Sequence, residues 1–229
     1  MNKLIVANMK MNLNKQEIDS YLKEIENKDL SNVIFCPTSI YIPYFLKKNL
    51  TVGIQNISRF INGSHTGQIS IKQISSLKIK YAIIGHSETK NEIDEIHDKV
   101  KLCSEHNIIP IICIGEKEDT KLEIKEKILE EQLDIILKDI KLDKVIIAYE
   151  PVWMIGSNKN IDTFTLHHIS NFLKNLVKKY KMNDIMLLYG GSVNRLNIKE
   201  ILSIDSIDGV LVGNASLDVY QLLEMIEVA

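Results

Sequence analysis

The sequence predicts a (β/α)8 barrel that forms a single domain over residues 1–229. Eight short apolar runs alternate with segments of helical periodicity, and each strand-and-helix unit takes about 29 residues, as a barrel of ~250 residues requires. The runs are apolar throughout rather than alternating, which is typical of parallel strands buried on both faces. No linker or low-complexity tract interrupts the repeat. A doubly wound open sheet is the structural alternative, but no glycine-rich fingerprint follows the first run.

The first four predicted strands are apolar runs that stop at an asparagine, a proline, a glutamine and a glycine. They cover residues 4–7, 33–36, 51–54 and 81–84. Apolar residues at helical spacing follow each run and predict four helices, of which the second and third are short. These residues are Ile18, Leu22 and Ile25; Ile42, Phe45 and Leu46; the segment 71–77; and Ile93, Ile96, Val100 and Cys103.

The last four predicted strands follow the same rule and cover residues 108–114, 145–148, 185–189 and 207–212. Spacings of four, three and four after the fifth run predict a strongly amphipathic helix. Asp162 or Thr163 is the expected N-cap of the helix after the sixth run. The apolar residues of the helices after runs five, six and eight are Leu129, Leu133, Ile136 and Ile140; Leu166, Ile169, Leu173, Leu176 and Tyr180; and Leu222, Leu223 and Ile226.

Composition and charge narrow the possible functions. A net charge of −2 provides no basic field, so we expect neither nucleic acid nor a membrane as a partner. No apolar stretch approaches the ~18 residues of a membrane span, and residues 1–7 lead into a strand without a signal peptide. Cys36, Cys103 and Cys113 show no paired spacing, which indicates reduced thiols and a cytoplasmic protein.

One stretch, residues 148–156, organises the functional interpretation. The sixth apolar run stops at a single carboxylate, Glu150, and then come Pro151, the only tryptophan, Trp153, and Gly156. A strand that ends in an acid and breaks into a stiff and then flexible loop is typical of a reactive group under a movable cover. The plainer interpretation is a solvated acid at the end of a strand.

The barrel brings further polar residues towards Glu150, because the active site of this fold lies at the C-terminal ends of its strands. The residues that follow the runs are Asn8, Lys10, His86, Glu88, Glu116, Glu150, Gly191, Ser192, Gly213 and Asn214. Several have simpler explanations: Lys10 as a surface lysine, His86 as a structural histidine and Glu116 as a turn acid. The glycine-rich loops after strands seven and eight predict a phosphate site.

The residue types at these positions suit proton transfer beside a carbonyl group. Glu150 would take the carbon-bound proton, His86 would polarise the carbonyl oxygen and Lys10 would stabilise the developing negative charge. The sequence contains no recognisable metal cluster, serine–histidine–aspartate pattern or nucleotide phosphate loop, so we expect neither a metal nor a cofactor.

Two other functions remain open at this point. The first is a different barrel enzyme for a phosphorylated sugar, such as an epimerase or an aldolase. An aldolase needs a Schiff-base lysine within a strand, and the eight runs contain none. The second is a non-catalytic binding protein of the same fold, which the joint presence of Lys10, His86 and Glu150 argues against.

Six segments carry a resemblance to the triosephosphate isomerase family along nearly the whole chain. Each is a weak signal alone, but all six occur in the order of the family and each lies at a predicted strand end. They are residues 7–12 (ANMKMN), 84–88 (IGHSE), 113–116 (CIGE), 148–153 (AYEPVW), 189–193 (YGGSV) and 208–217 (DGVLVGNASL).

The resemblance implies an intramolecular oxidoreductase, an aldose–ketose isomerase that interconverts D-glyceraldehyde 3-phosphate and dihydroxyacetone phosphate in glycolysis and gluconeogenesis. It implies that Glu150 is the base and that His86 is a neutral electrophile, its pKa lowered by the helix that follows. The implied catalytic residues are Asn8, Lys10, His86, Glu88 and Glu150. The implied substrate-binding residues are Asn8, Lys10, Gly156, Ser192, Gly213 and Asn214.

Departures from the family pattern concern the rim of the site. Met9 replaces a tryptophan, Asn214 replaces the second glycine of the eighth loop, and the lid tip reads Ser-Asn-Lys at 157–159. The lid is expected from Pro151 to about residue 161, with Ile155 over Glu150. Gln68 and Thr89 replace the two members of a usual charge pair.

The family forms dimers through its third loop, which corresponds to residues 62–67 here. The resemblance therefore implies a homodimer, with Thr66 reaching the partner's active-site edge near Asn8 and Lys10.

Overall fold

Eight parallel strands form one sheet whose two edges meet, so the predicted (β/α)8 barrel is confirmed. The computed structural model describes residues 2–154, 161–180, 182 and 184–229. The spatial order is β2-β1-β8-β7-β6-β5-β4-β3, and one parallel bridge between Phe35 and Val52 joins the two end strands. The strands are β1 Leu4–Asn8, β2 Val33–Cys36, β3 Gly53–Ile54, β4 Tyr81–Ile84, β5 Ile109–Ile114, β6 Lys144–Tyr149, β7 Asp184–Tyr189 and β8 Gly209–Val212.

An α-helix follows each strand on the outside of the barrel, as the periodicity predicts. The helices are α1 Lys15–Glu24, α2 Ile42–Lys47, α3 Ile71–Ser76, α4 Ile93–Glu105, α5 Leu122–Ile136, α6 Thr163–Leu176, α7 Ile198–Leu202 and α8 Val219–Val228. Asp162 is the N-cap of α6, since its carboxylate accepts a hydrogen bond from the Thr165 N–H at 2.9 Å. Asn14 and Ser70 begin α1 and α3 with complete capping boxes.

The third strand is shorter than the sequence predicts. Residues 51–54 are apolar enough for a strand, but only Gly53 and Ile54 pair with β4. On the other side of the strand, the Phe35 N–H donates to the Thr51 carbonyl oxygen at 2.9 Å. This hydrogen bond and the bridge between Phe35 and Val52 join the third strand to β2 and close the barrel.

Side-chain alternation along the strands divides the core into two layers. One row points into the barrel and fills its interior, while the intervening residues pack against the helices. The inward residues are Val6, Ile34, Cys36, Ile83, Ile111, Cys113, Ile146, Ala148, Leu188 and Leu211. The next inward position on each strand therefore lies at the C-terminal mouth of the barrel.

Candidate active site

The inward row continues past the packed interior and places Asn8 and Glu150 at the mouth of the barrel. Val6 and Ala148 fill the interior, and Asn8 and Glu150 are the next residues of the same parity. Both side chains are buried. Glycine occupies the corresponding position after several other strands, so these two polar side chains project into the space left by the missing side chains.

Glu150 is held on both sides by its neighbouring strands. Its N–H donates to the Ile114 carbonyl oxygen at 2.8 Å, which continues the pairing between β5 and β6. On the other side, at the end of β7, a Cβ atom at Gly190 would stand 2.7 Å from Glu150 Cγ, so only glycine leaves room for the carboxylate. The side chain is 3% exposed. It therefore has one narrow space available to it.

Burial makes Glu150 a stronger base than an ordinary carboxylate. The loss of hydration raises the pKa of Glu150 to about 8 from its ordinary 4.5. A hydrogen bond with the Cys113 thiol and the charge of Lys10 act in the opposite direction and limit the rise. A carboxylate with a raised pKa accepts a proton from carbon more readily than one at the surface does.

His86 lies beside Glu150, with its Nε2 atom 3.4 Å from Glu150 Oε1. Its Nδ1 atom accepts a hydrogen bond from the Glu88 N–H at 3.2 Å, so that nitrogen carries no proton. The neutral ring then carries its proton on Nε2, the nitrogen that faces the carboxylate. Burial is the largest cause that lowers the pKa of His86, the charge of Lys10 lowers it further, and Glu88 opposes both.

The expectation that a helix directly after His86 lowers its pKa is wrong, because no α-helix begins there. Only a single 3₁₀ turn, Ser87–Thr89, comes after the histidine, and α4 does not begin until Ile93. A turn of three residues has too few aligned peptide dipoles to act as a helix terminus. The contribution of the turn is the Glu88 N–H that fixes the tautomer.

Lys10 and Glu88 form an ion pair at the rim of the site. Lys10 Nζ donates to Glu88 Oε1 at 2.6 Å, and the other Glu88 oxygen is 3.9 Å from His86 Nδ1. The backbone of Lys10 is left-handed, with φ of 52°, a conformation that only surrounding contacts maintain in a residue with a long side chain. The Asn8 side-chain oxygen accepts from the Lys10 N–H at 3.2 Å.

Two residues that sequence reasoning missed hold the strained backbone of Lys10. The Lys10 carbonyl oxygen accepts hydrogen bonds from Thr38 Oγ1 at 2.9 Å and from Gln55 Nε2 at 2.8 Å. Gln55 Nε2 also donates to the Cys36 carbonyl oxygen at 2.9 Å. The available signal was the polar pair Gln55 and Asn56 directly after the third run, but nothing in the sequence says that a side chain from β3 reaches β1.

The loops after β7 and β8 form the remaining rim. Gly213 lies next to Lys10, since a Cβ atom there would stand 3.1 Å from Lys10 Cε. Asn214 begins a 3₁₀ turn, Asn214–Ser216, with right-handed backbone, so asparagine replaces glycine without a left-handed conformation. Ser192 follows Gly190 and Gly191, of which Gly190 contacts Glu150. Gly156, which the resemblance also implies in phosphate binding, lies outside the described residues.

Glu116 belongs to a buried cluster beneath the start of the predicted lid rather than to the mouth itself. Its Oε1 atom accepts from Trp153 Nε1 at 2.9 Å, from Tyr149 OH at 3.1 Å and from Lys125 Nζ at 3.1 Å. Lys125 Nζ also bonds Asp119 Oδ1 at 2.8 Å and lies 4.6 Å from the centre of the Trp153 ring. The signal for Lys125 was a lysine on the apolar stripe of α5, four residues before Leu129.

Gln68 and Thr89, which stand where the family has a charge pair, are each satisfied locally. Gln68 Oε1 accepts from Ser58 Oγ, and Thr89 Oγ1 lies 2.7 Å from the His86 carbonyl oxygen. A cavity of about 680 Å³ is lined in part by His86, Cys113 and Glu150. Among the described residues, no histidine, cysteine and acid side chains are grouped to hold a metal ion. No helix in those parts of the chain is both long and apolar enough to cross a bilayer.

The structure thus brings together Asn8, Lys10, His86, Glu88 and Glu150 at one end of the barrel. The fold and this set of side chains define a (β/α)8-barrel enzyme equipped for acid–base chemistry. A sequence model of the triosephosphate isomerase family matches residues 3–229. The chain belongs to the triosephosphate isomerase family and is an isomerase.

Relatives from three distant bacteria support the same assignment. The triosephosphate isomerase of Clostridium botulinum (strain Loch Maree / Type A3) is 38% identical to this chain, and the match covers 93% of the chain and 94% of that protein. The triosephosphate isomerase of Buchnera aphidicola subsp. Cinara cedri is 37% identical, over 98% of the chain and 97% of that protein. The triosephosphate isomerase of Aquifex aeolicus (strain VF5) is 37% identical, over 95% of the chain and 96% of that protein.

Proposed function

We propose that this chain interconverts D-glyceraldehyde 3-phosphate and dihydroxyacetone phosphate, and that Glu150, His86 and Lys10 carry the reaction. The roles of these residues rest mainly on one observation: Glu150 and His86 are buried side by side at the mouth of the barrel, with Glu150 Oε1 3.4 Å from His86 Nε2. The reaction moves one proton between adjacent carbons and one between adjacent oxygens. A carboxylate and a neutral imidazole side by side serve these two transfers.

Glu150 is the base for the carbon-bound proton. Its carboxylate takes the proton from the carbon next to the carbonyl group, which leaves an enediolate, and returns it to the neighbouring carbon. Burial raises the pKa of Glu150 to about 8, closer to neutral pH than the ordinary 4.5, so that the same group can take the proton and give it back. The tight fit against Gly190 keeps the carboxylate in position for both steps.

His86 acts on the oxygens of the substrate. With Nδ1 fixed as the acceptor of the Glu88 N–H, the proton on Nε2 is directed into the site. It hydrogen-bonds the carbonyl oxygen as negative charge develops there and passes between the two oxygens as the enediolate forms and collapses. A neutral imidazole suits this role because its acidity as an N–H donor is closer to that of an enediol hydroxyl than the acidity of an imidazolium would be.

Lys10 supplies the fixed positive charge. Its ammonium is held by Glu88 at 2.6 Å and stands next to Gly213, where the phosphate loop begins. From there it stabilises the enediolate and attracts the dianionic substrate. Glu88 keeps the ammonium oriented while the site is empty, and Asn8 orients both the Lys10 backbone and the substrate oxygens.

The phosphate group binds the N–H groups of the loops after β7 and β8, from Ser192, Gly213 and Asn214. The first amides of the turn Asn214–Ser216 have no acceptor within the turn, so their N–H groups can donate to the phosphate without any contribution from a helix dipole. Gly156 completes the set in this proposal. No metal or redox cofactor is required, because the isomerisation leaves the overall oxidation level unchanged and Lys10 and His86 stabilise the charge.

The decisive experiment measures isomerisation of glyceraldehyde 3-phosphate by the purified chain and by Glu150→Gln. We expect the substitution to lower kcat by about 10²–10⁴-fold or more, the contribution of a positioned general base. The fold should be preserved, because glutamine has nearly the shape of glutamate. Equal activity in both proteins would refute Glu150 as the base, and no activity in a folded wild-type protein would refute the function.

The proposal extends to the state and place of the protein. We expect a homodimer in the cytoplasm, built from one barrel domain over residues 1–229. All eight strands belong to one sheet, and the three cysteines are free and buried, which suits a reducing compartment. The exposed apolar side chains on the loops after β1, β2 and β3 favour a partner on that side. They are Met11, Ile40, Phe60 and Ile61.

A further inference from the structure

Lys99 is a buried cation on the core-facing side of α4, and its residue exposure is only 1%. Its ammonium donates to Glu95 Oε1 at 2.8 Å, to Asn56 Oδ1 at 3.0 Å and to Asn91 Oδ1 at 3.1 Å. An ammonium has three N–H donors, so all three are used. Only Glu95 balances the charge, and the other two acceptors are neutral amides.

The two amides lie on the segments that surround the catalytic histidine. Asn56 comes directly after Gln55, whose side chain holds the Lys10 carbonyl oxygen. Asn91 lies in the connection between the 3₁₀ turn Ser87–Thr89 and α4. The ammonium of Lys99 therefore ties the end of β3 to the loop that carries His86, although Lys99 itself does not face the mouth of the barrel.

A continuous set of contacts leads from Lys99 to His86. Asn91 Oδ1, which accepts from Lys99, is also 2.8 Å from Thr89 Oγ1. The Thr89 hydroxyl has one proton and donates it to Asn91 Oδ1, while the Thr89 N–H donates to the His86 carbonyl oxygen at 2.9 Å. If the Asn91 amide were reversed, its NH2 group would face the ammonium, so Lys99 fixes which way this amide points.

We propose that Lys99 is a positioning residue for His86, acting through Asn91 and Thr89 on the turn that orients the imidazole. This inference rests on the proposed function, since it assigns Lys99 to the same reaction. The turn matters because its Glu88 N–H holds Nδ1 of the ring. A loosened turn frees the imidazole to rotate, and small misplacements of a catalytic group carry large losses in rate.

Burial of the ammonium is hard to explain by stability alone. Removing a lysine ammonium from water is costly, and a buried ion pair that is replaced as a whole by apolar side chains often keeps its stability. A buried cation with a complete set of acceptors has the further property of fixing the orientation of each acceptor. At Lys99 two of these acceptors belong to the framework of the active site.

The test compares Lys99→Met, Asn91→Ala and the double variant, with Lys101→Met as the control. Lys101 is an exposed lysine two residues along the same helix. We expect each single variant to lower kcat by about 10- to 100-fold with KM changed less than about threefold, and the control to match the wild type. The double variant should be no slower than the slower single variant, because both substitutions break one chain of contacts.

A second readout follows His86 directly, by the ¹⁵N chemical shifts of its ring in histidine-labelled protein. We expect the Nδ1 resonance to move in Lys99→Met and Asn91→Ala and to stay in place in Lys101→Met. Losses of rate that multiply in the double variant, or an unmoved Nδ1 resonance, would show a structural role only and overturn the proposal. If Lys99→Met does not fold, Asn91→Ala decides, and wild-type kcat in that variant overturns the inference.

The failure of this inference differs from a failure of the proposed function. The wild-type protein and Glu150→Gln are assayed in the same experiment. An inactive wild type contradicts the function, whereas an active wild type with fully active Asn91→Ala contradicts only the role of Lys99. The chemical shifts of His86 do not depend on turnover and report in either case.

Discussion

Glu150 and His86 respond to the same burial in opposite directions. Loss of hydration raises the pKa of the carboxyl group and lowers the pKa of the imidazole, because burial disfavours the charged form of both. Burial therefore favours the neutral imidazole at His86 and holds a proton on Glu150 up to about pH 8. The proposed base acts in the fraction of molecules that have released this proton.

Gly190 limits the position of Glu150, the proposed base. We expect Gly190→Ala to lower kcat by about 10²-fold, because the new methyl group would meet Glu150 Cγ at 2.7 Å and push the carboxylate aside. Steady-state kinetics on the folded variant give the measurement, and circular dichroism checks the fold. Glu150→Asp shortens the side chain and should make room for the new methyl group. We therefore expect the double variant to lose less activity than the product of the losses in the two single variants. A Gly190→Ala enzyme with wild-type kcat would contradict the tight fit.

The raised pKa of Glu150 has a consequence for stability. Between pH 4.5 and about 8 the folded chain holds a proton on Glu150 that the unfolded chain has released, so the free energy of unfolding falls as pH rises through this window. The Glu150→Gln variant has no carboxyl group at this position, so its free energy of unfolding should not fall in this way. We expect the variant to be more stable than the wild type by about 2–5 kcal/mol at pH 8.5 and nearly equal to it at pH 4.5.

Urea denaturation at the two pH values measures the difference. Glu131→Gln is the control, because Glu131 is exposed on α5 and pairs with Lys127 only at 3.9 Å. It should show no comparable gain at pH 8.5. If Glu150→Gln and the wild type show the same pH dependence of unfolding, the pKa of Glu150 is not raised in the folded protein.

At the scale of the elements, strand ends carry the site and helices support it from behind. The helix α5 supplies Lys125, which enters the core and pairs with Glu116 after β5 and with Asp119. The same Glu116 oxygen accepts from Trp153, which lies at the start of the expected lid. The cluster therefore connects α5, β5 and the start of the lid, and each member depends on the others for its hydrogen bonds.

Loss of Lys125 should be strongly destabilising. Lys125→Met leaves Glu116 as a buried carboxylate without its cation, and we expect the free energy of unfolding to fall by about 3–5 kcal/mol. Unfolding is followed by the fluorescence of Trp153, the only tryptophan. Lys127→Met on the same helix, where the side chain is 78% exposed, should change stability by less than about 0.5 kcal/mol.

The double variant Lys125→Met with Glu116→Gln checks the cause. Removing both charges together should restore much of the stability that Lys125→Met loses, since a buried pair replaced as a unit costs less than a pair broken on one side. If the double variant is as unstable as the sum of the two single changes, packing around Trp153 rather than the unpaired carboxylate is responsible.

At the scale of the whole molecule, the loops after β1, β2 and β3 expose apolar side chains on one side of the site. Ile40 is 70% exposed and Met11, next to Lys10, is 90% exposed. In the third loop, Phe60 and His65 stack with ring centres 3.9 Å apart, which stiffens the segment that is proposed to enter a partner subunit. A rigid projecting loop beside an apolar surface favours self-association.

We expect the protein to sediment as a dimer at micromolar concentration and Ile61→Asp to sediment as a monomer, because the substitution places a charge in the proposed interface. The monomer should have at least about tenfold lower kcat, since in the proposed dimer the partner's third loop would reach the edge of the site near Lys10. Leu196→Asp is the control, because Leu196 is exposed after β7, away from these loops. A wild-type monomer with full activity would refute the proposed dimer.

The sequence by itself determined the barrel and the positions of most candidate residues. Local periodicity gives strands and helices, and the parity of a strand fixes which of its side chains continue inward, so Asn8 and Glu150 could be found at strand ends. The motifs around His86 and Glu88 then indicated the family. These features depend on residues close together in the chain, which a single sequence displays directly.

The tertiary structure alone decided how these residues are held. Gln55 on Lys10, Lys125 on Glu116 and Lys99 on Asn91 and Asn56 are contacts between elements distant in the chain. A lysine on the apolar face of a helix breaks the local pattern, but its partner lies on another strand or loop, and no local spacing encodes that distance. The pKa of His86 likewise depends on burial, which arises only when the whole barrel closes around it.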